Sequence, residues 1–225
     1  MKKLLLILKS VAMLTIGCTA CKDDSEPKES PKATQTAEAV KTDAPKKEVA
    51  DVYARKIMFT IEMNDGGVMK GELYPDLAPI TVDNFVKLVN EKFYDGLIFH
   101  RVIPGFMIQG GGFDKDFVPK ETASIKGEFE SNGVKNDLKH ERGVLSMART
   151  MVPDSASSQF FIMHETSPHL DGEYAAFGRI TEGLEIVDKI AGVETTVVAE
   201  TGMSDVPTEP QIIKTITITE GEQAE

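Results

Sequence analysis

The sequence predicts a mainly β domain, a closed or nearly closed barrel with helices over its ends. Three observations lead there. Between residues 57 and 219 short apolar runs recur, separated by Gly-rich or polar segments, and each is too short for a globular helix. The first of them alternates apolar and polar positions with the period of a half-buried strand. Only two stretches repeat at helical spacing, so many short strands must bury their apolar faces against one another, with two helices covering what remains.

Taken in order, Ile57, Phe59, Ile61 and Met63 share one side of a strand, Asn64-Asp65-Gly66-Gly67 supplies residues that tolerate positive φ, and residues 68–74 return. This is a β-hairpin. Pro79 sits where a helix can begin, and Val82, Phe85, Val86 and Val89 recur at helical spacing until Asn90 and Glu91. An amphipathic helix packed on the sheet is expected there. Strands are expected at 96–101, 106–109, 143–147, 159–164 and 175–180, with Gly110-Gly111-Gly112 forming a tight turn after the second of these. A second helix over 183–191 places Leu184, Val187, Ile190 and Ala191 on one side, and 212–219 closes the sheet.

The chain has 225 residues, 41% hydrophobic and 27% charged, which suits one soluble domain, taken as 51–225, plus extra sequence at one end. A formal net charge of -11 with no basic patch argues against a nucleic-acid partner, whose phosphates need clustered Lys and Arg. Residues 1–17 run from Lys2-Lys3 through Leu4-Leu5-Leu6-Ile7-Leu8 to small residues, the order of a secretory signal. The apolar stretch is short for a bilayer span, and Lys9 interrupts it.

Leu14-Thr15-Ile16-Gly17-Cys18 is similar to a lipoprotein processing site, which makes Cys18 the expected lipidated N-terminus and Cys21 the alternative. These are the chain's only cysteines, so the domain has no disulfide or thiolate metal site to draw on. Within 18–50, the stretch from Lys22 is Lys, Glu, Asp, Pro, Thr and Ala with almost no large apolar side chain, punctuated by Pro27, Pro31 and Pro45. It reads as a flexible tether. The domain is therefore expected to be exported, extracytoplasmic and anchored to a bacterial membrane through lipid.

The run 99–111, Phe-His-Arg-Val-Ile-Pro-Gly-Phe-Met-Ile-Gln-Gly-Gly, sets one cation, Arg101, among apolar and aromatic side chains, with the Gln109 amide following. That combination suits a groove that holds an apolar residue and polarises an adjacent amide. It resembles the signature segment of the cyclophilins, the peptidyl-prolyl cis-trans isomerases. Two further blocks resemble the same family in the same order: 143–149 continuing to 158–162, and Leu170-Asp171-Gly172-Glu173-Tyr174-Ala175-Ala176-Phe177-Gly178. The likeness spans roughly 53–219 and implies an eight-stranded antiparallel barrel capped by two α-helices.

By the same resemblance Arg101 is the catalytic arginine, Gln109 helps orient it and the peptide, and Phe106, Met107, Phe161 and Leu170 line a proline pocket. Ala148 and Arg149 fall where the substrate backbone pairs, and Gln159 and Tyr174 complete the substrate-binding set. Arg149 replaces the Asn of the animal pattern. Tyr174 stands in place of its His, as in bacterial members, and His169 in place of its Trp, which implies weak cyclosporin binding. The loop 150–157 is about one residue longer than in the animal form.

The implied reaction needs no nucleophile. Rotation about an Xaa-Pro bond must break amide resonance across a barrier of about 18–20 kcal/mol, and a catalyst lowers it by binding the twisted amide better than the planar one. Arg101 can supply a permanently charged donor. The expected partners are proline-containing unfolded or flexible polypeptides, met by a monomer with no metal, nucleotide or redox cofactor. His100, His140, His164 and His169 carry no metal-ligand spacing, and Ser155, Ser157 or Ser158 with His164 or His169 and Asp171 lack a Gly-x-Ser-x-Gly elbow. They read as polar loop residues. The rival reading is a proline-peptide-binding chaperone module with little turnover.

Overall fold

Strands β1 (Ile57–Met63) and β2 (Val68–Leu73) form the predicted hairpin, paired from Ile57↔Leu73 to Glu62↔Val68. Its turn is closed by Met63 N–H donating to the Gly67 carbonyl at 2.8 Å, with Gly66 at φ 89°. The structure is a computed structural model that describes residues 55–199 and 202–219. The signal at 1–17, the tether at 18–50 and both cysteines lie outside the described residues.

Helix α1 (Pro79–Asn90) buries Val82, Phe85, Leu88 and Val89. Then come β3 (Leu97–Ile103), β4 (Met107–Asp114), β5 (Val144–Met147), β6 (Phe160–Met163), β7 (Ala176–Glu182) and helix α2 (Leu184–Ala191). After α2 follow β8 (Thr195–Val198), β9 (Met203–Pro207) and β10 (Gln211–Thr219). Eight strands close an antiparallel barrel in the order β1-β10-β3-β4-β6-β5-β7-β2, as the family resemblance implies. Strands β8 and β9 form a separate two-stranded sheet that the sequence reading did not anticipate. The β-branched run Thr195-Thr196-Val197-Val198 carried the signal, but it is half exposed and lacks the apolar alternation of a core strand.

Pleating divides the apolar residues into two clusters. Ile108, Phe160 and Ile162 point into the barrel with Phe59, Phe99 and Phe177, while Met107, Phe161 and Met163, one residue out of step, join Tyr74, Val144 and Leu170. Helix α1 plugs the first cluster through Phe85, whose ring centroid lies 5.3 Å from those of Tyr94 and Phe177 and 5.5 Å from that of Phe160. Burying each such ring stabilises the fold by about 1.5–3 kcal/mol.

Two expectations change. Gly110, Gly111 and Gly112 lie inside β4 and not in a turn, because the β3–β4 register slips from Phe99↔Gly110 to Leu97↔Asp114 and the surplus residues bulge. A Cβ on Gly110 would stand 2.9 Å from the Phe99 ring, and one on Gly112 only 2.6 Å from the Gln159 amide. His100 and His140 are not loop surface residues: they are 2% and 1% exposed, His100 within β3 and His140 in a buried connection stacked against Phe161.

Candidate active site

The second cluster leaves its edge open as a cleft of about 150 Å³, lined by Arg101, Phe106, Met107, Gln109, Ala148, Arg149, Phe161, Leu170 and Tyr174. Nine of the ten site residues expected from the sequence therefore meet around one cavity, and Gln159 supports it from behind. Adjacent antiparallel strands bring them together: Arg101 on β3 pairs with Gln109 on β4, and Gln109 pairs with Phe161 on β6. Met107, Gln109 and Phe161 sit on the same face because they share the strand period.

The floor is rigid. Met107, Phe161 and Leu170 are almost fully buried, and Tyr174 meets Phe161 edge-on at 5.8 Å and 83°. Beneath Phe161 the His140 ring is stacked at 6.1 Å and 19°. His140 is itself fixed, with Nδ1 3.1 Å from Asp171 Oδ1 and Nε2 3.0 Å from Ser146 Oγ. Burial pushes the His140 imidazole below its ordinary pKa, against the opposing pull of Asp171. The Asp–His–Ser order looks hydrolytic, but Ser146 is 0% exposed and no substrate atom can reach its oxygen. The array supports the floor.

Phe106 stands on the turn between β3 and β4, held by its neighbour strand. The His164 N–H donates to the Phe106 carbonyl at 2.9 Å, and the Gly105 N–H donates to His164 Nδ1 at 2.9 Å. Accepting through Nδ1 places the ring proton on Nε2, 3.3 Å from Asp188 Oδ1. His169 stacks on Phe106 at 5.7 Å and 26°. His164 was legible only as a histidine, since its role depends on the end of β6 meeting a turn 59 residues away.

At the other rim the Arg149 guanidinium is committed within the protein. Nε and Nη2 donate to the Glu173 carbonyl at 3.0 and 2.8 Å, and the group lies over the Phe129 and Tyr174 rings at 4.8 and 4.7 Å. It fastens the segment bearing Tyr174. The Ala148 N–H is likewise occupied, donating to the Gln159 carbonyl at 2.9 Å. Gln109 Nε2 donates to Gln159 Oε1 at 3.0 Å, and Gln159 has room for its amide because residue 112 is glycine. The ion pair on Arg101 comes from an unexpected place: Nε lies 3.7 Å from Asp205 Oδ2, on β9.

Residues 58–218 match the family described as cyclophilin type peptidyl-prolyl cis-trans isomerase/CLD. The chain is 50% identical over 136 residues to a peptidyl-prolyl cis-trans isomerase of Acinetobacter baylyi, covering 58% of this chain and 70% of that one. It is 42% identical over 172 residues to peptidyl-prolyl cis-trans isomerase B of Escherichia coli, covering 72% of this chain and all (100%) of that one. The crystal structure of a Cryptosporidium parvum cyclophilin-type isomerase superposes with a TM-score of 0.61 at 30% identity, covering 74% of this chain and 99% of that one. That protein was also crystallised in the presence of the dipeptide Ala-Pro. Barrel, groove and sequence agree, and the chain belongs to the cyclophilin-type peptidyl-prolyl cis-trans isomerases, enzymes that rotate Xaa-Pro bonds.

Proposed function

We propose that Arg101 is the catalytic group of this isomerase and that the pocket of Phe106, Met107, Phe161 and Leu170 holds the proline ring. The observation that carries this reading is the half-exposed guanidinium at the rim of an otherwise buried apolar pocket. A donor fixed there can hydrogen-bond the prolyl nitrogen once its lone pair leaves conjugation, an interaction the planar amide cannot make, so it favours the twisted state alone. Because the Ala148 N–H is already bonded, the Ala148 carbonyl and the Arg149 backbone are the groups at that rim that would pair with a substrate strand. The Ala-Pro dipeptide used with the parasite relative agrees with a proline-sized pocket.

The test is the cis-to-trans rate of an Xaa-Pro peptide with the full chain, wild type beside Arg101→Ala. Removing one preorganised donor costs roughly 2.7–4 kcal/mol, so turnover should drop by about two to three orders of magnitude. Near-full turnover in a folded variant would refute the role.

We further propose that the enzyme is an exported lipoprotein whose domain works as a monomer outside the membrane, assisting newly secreted polypeptides. The order of charge, apolar run and cysteine at 1–18, followed by a proline-punctuated polar tether, supports this reading. Intact masses of membrane-extracted wild type, Cys18→Ser and Cys21→Ser would identify the acylated residue. A membrane form with the mass of the unmodified precursor would count against lipidation.

A further inference from the structure

The two-stranded sheet β8–β9 lies beside the strand that carries Arg101. Strand β9 packs against β3, the strand of Arg101, and is anchored by Val206, which is 2% exposed. One residue earlier, Asp205 has φ 60°, in the left-handed region where an L side chain meets steric resistance and glycine would fit without cost. It is one of three non-glycine residues in that region among the described residues. Its carboxylate Oδ2 faces Arg101 Nε at 3.7 Å and accepts a hydrogen bond from Ser204 Oγ at 3.1 Å.

We propose that Asp205 is the positioning residue of Arg101, holding the guanidinium by Nε so that both terminal amino groups remain for the substrate. This rests on the catalytic reading of Arg101 given above. Gln109, the cross-strand partner of Arg101, directs its amide to Gln159, so the carboxylate that faces the guanidinium comes from β9. An arginine at an open rim has several rotatable bonds, and a side-on carboxylate biases it toward one orientation before substrate arrives. The left-handed backbone at Asp205 falls where the β8–β9 register shifts, and this irregularity sets its carboxylate beside Arg101.

The experiment compares four full-length proteins in the peptide isomerisation assay: wild type, Asp205→Gly, Arg101→Ala and the double variant. Glycine suits φ 60°, so Asp205→Gly should fold with an unchanged or higher Tm while kcat/KM drops about tenfold, with the loss mainly in kcat. In the Arg101→Ala background the same change should cost nothing more, and Asp205→Glu should recover part of the loss. If Arg101→Ala collapses but Asp205→Gly turns over normally, the positioning role is overturned and the Arg101 role stands. An equal drop in both backgrounds would reduce Asp205 to a structural residue and overturn the proposal as well. Full turnover by Arg101→Ala would remove the premise and the proposal together.

Discussion

A glycine decides how the groove's amides are arranged. Residue 112 has no Cβ, and the Gln159 amide occupies that space and accepts from Gln109. In Gly112→Ala the atoms nearest the new methyl belong to the movable Gln159 side chain, so the protein should fold with Cm shifted little while the Gln109–Gln159 bond breaks. Turnover should fall by about three- to tenfold, read from peptide kinetics beside a denaturation curve. Arg149 acts through packing: its side chain, 12% exposed, covers Phe129 and Tyr174 and holds the Glu173 carbonyl. Arg149→Ala should therefore weaken peptide binding by loosening Tyr174, raising KM more than it lowers kcat. Arg101, Phe106, Met107 and Gln109 were legible because nine consecutive residues carry them. Asp205 was not, since an acidic residue 104 positions away says nothing about its partner until β9 is laid against β3.

At the scale of elements, the start of α1 was legible in Pro79, but what satisfies its first amides was not. Ala78 offers no side-chain cap. Instead Glu128, 2% exposed, accepts from the Ile80 N–H at 3.0 Å and from the Thr81 N–H and hydroxyl at 2.7 Å each. A carboxylate brought from 47 residues away thus serves as the helix cap and meets the positive end of the helix dipole. Glu128→Ala leaves buried donors without a partner and should cost about 2–3 kcal/mol, seen as a lower urea midpoint at unchanged m. Glu128→Gln should recover part of it. The β1–β2 hairpin needed no such help, because its turn residues and alternation lie within 18 residues of chain and match the pairing found.

For the whole molecule, burial of His100 in the barrel wall makes acid a destabilising condition. Desolvation pushes its pKa from 6.5 down to about 4, and the positive charge of Arg101 acts in the same direction. In the unfolded chain the imidazole takes a proton below about 6.5, and in the folded protein only near 4, so between these values the unfolded state binds more protons. Stability should be undisturbed above pH 6.5 and fall as pH drops toward 4, by roughly 3 kcal/mol in all. His140, also pushed down by burial, adds in the same direction. Thermal midpoints from pH 7 to 4 would check this, with His100→Gln flattening the curve; an equally steep curve in that variant would assign the slope to other groups. By itself the sequence determined the β-rich class, both helices, the hairpin, the family and the residues of the groove, because strand period, turn residues and one dense motif are local properties. Only the tertiary structure decided the bulged β4, the buried support under Phe161, the distant cap on α1 and the carboxylate beside Arg101. All but the β4 bulge join groups far apart in the chain, and no local pattern encodes a meeting that only tertiary packing brings about.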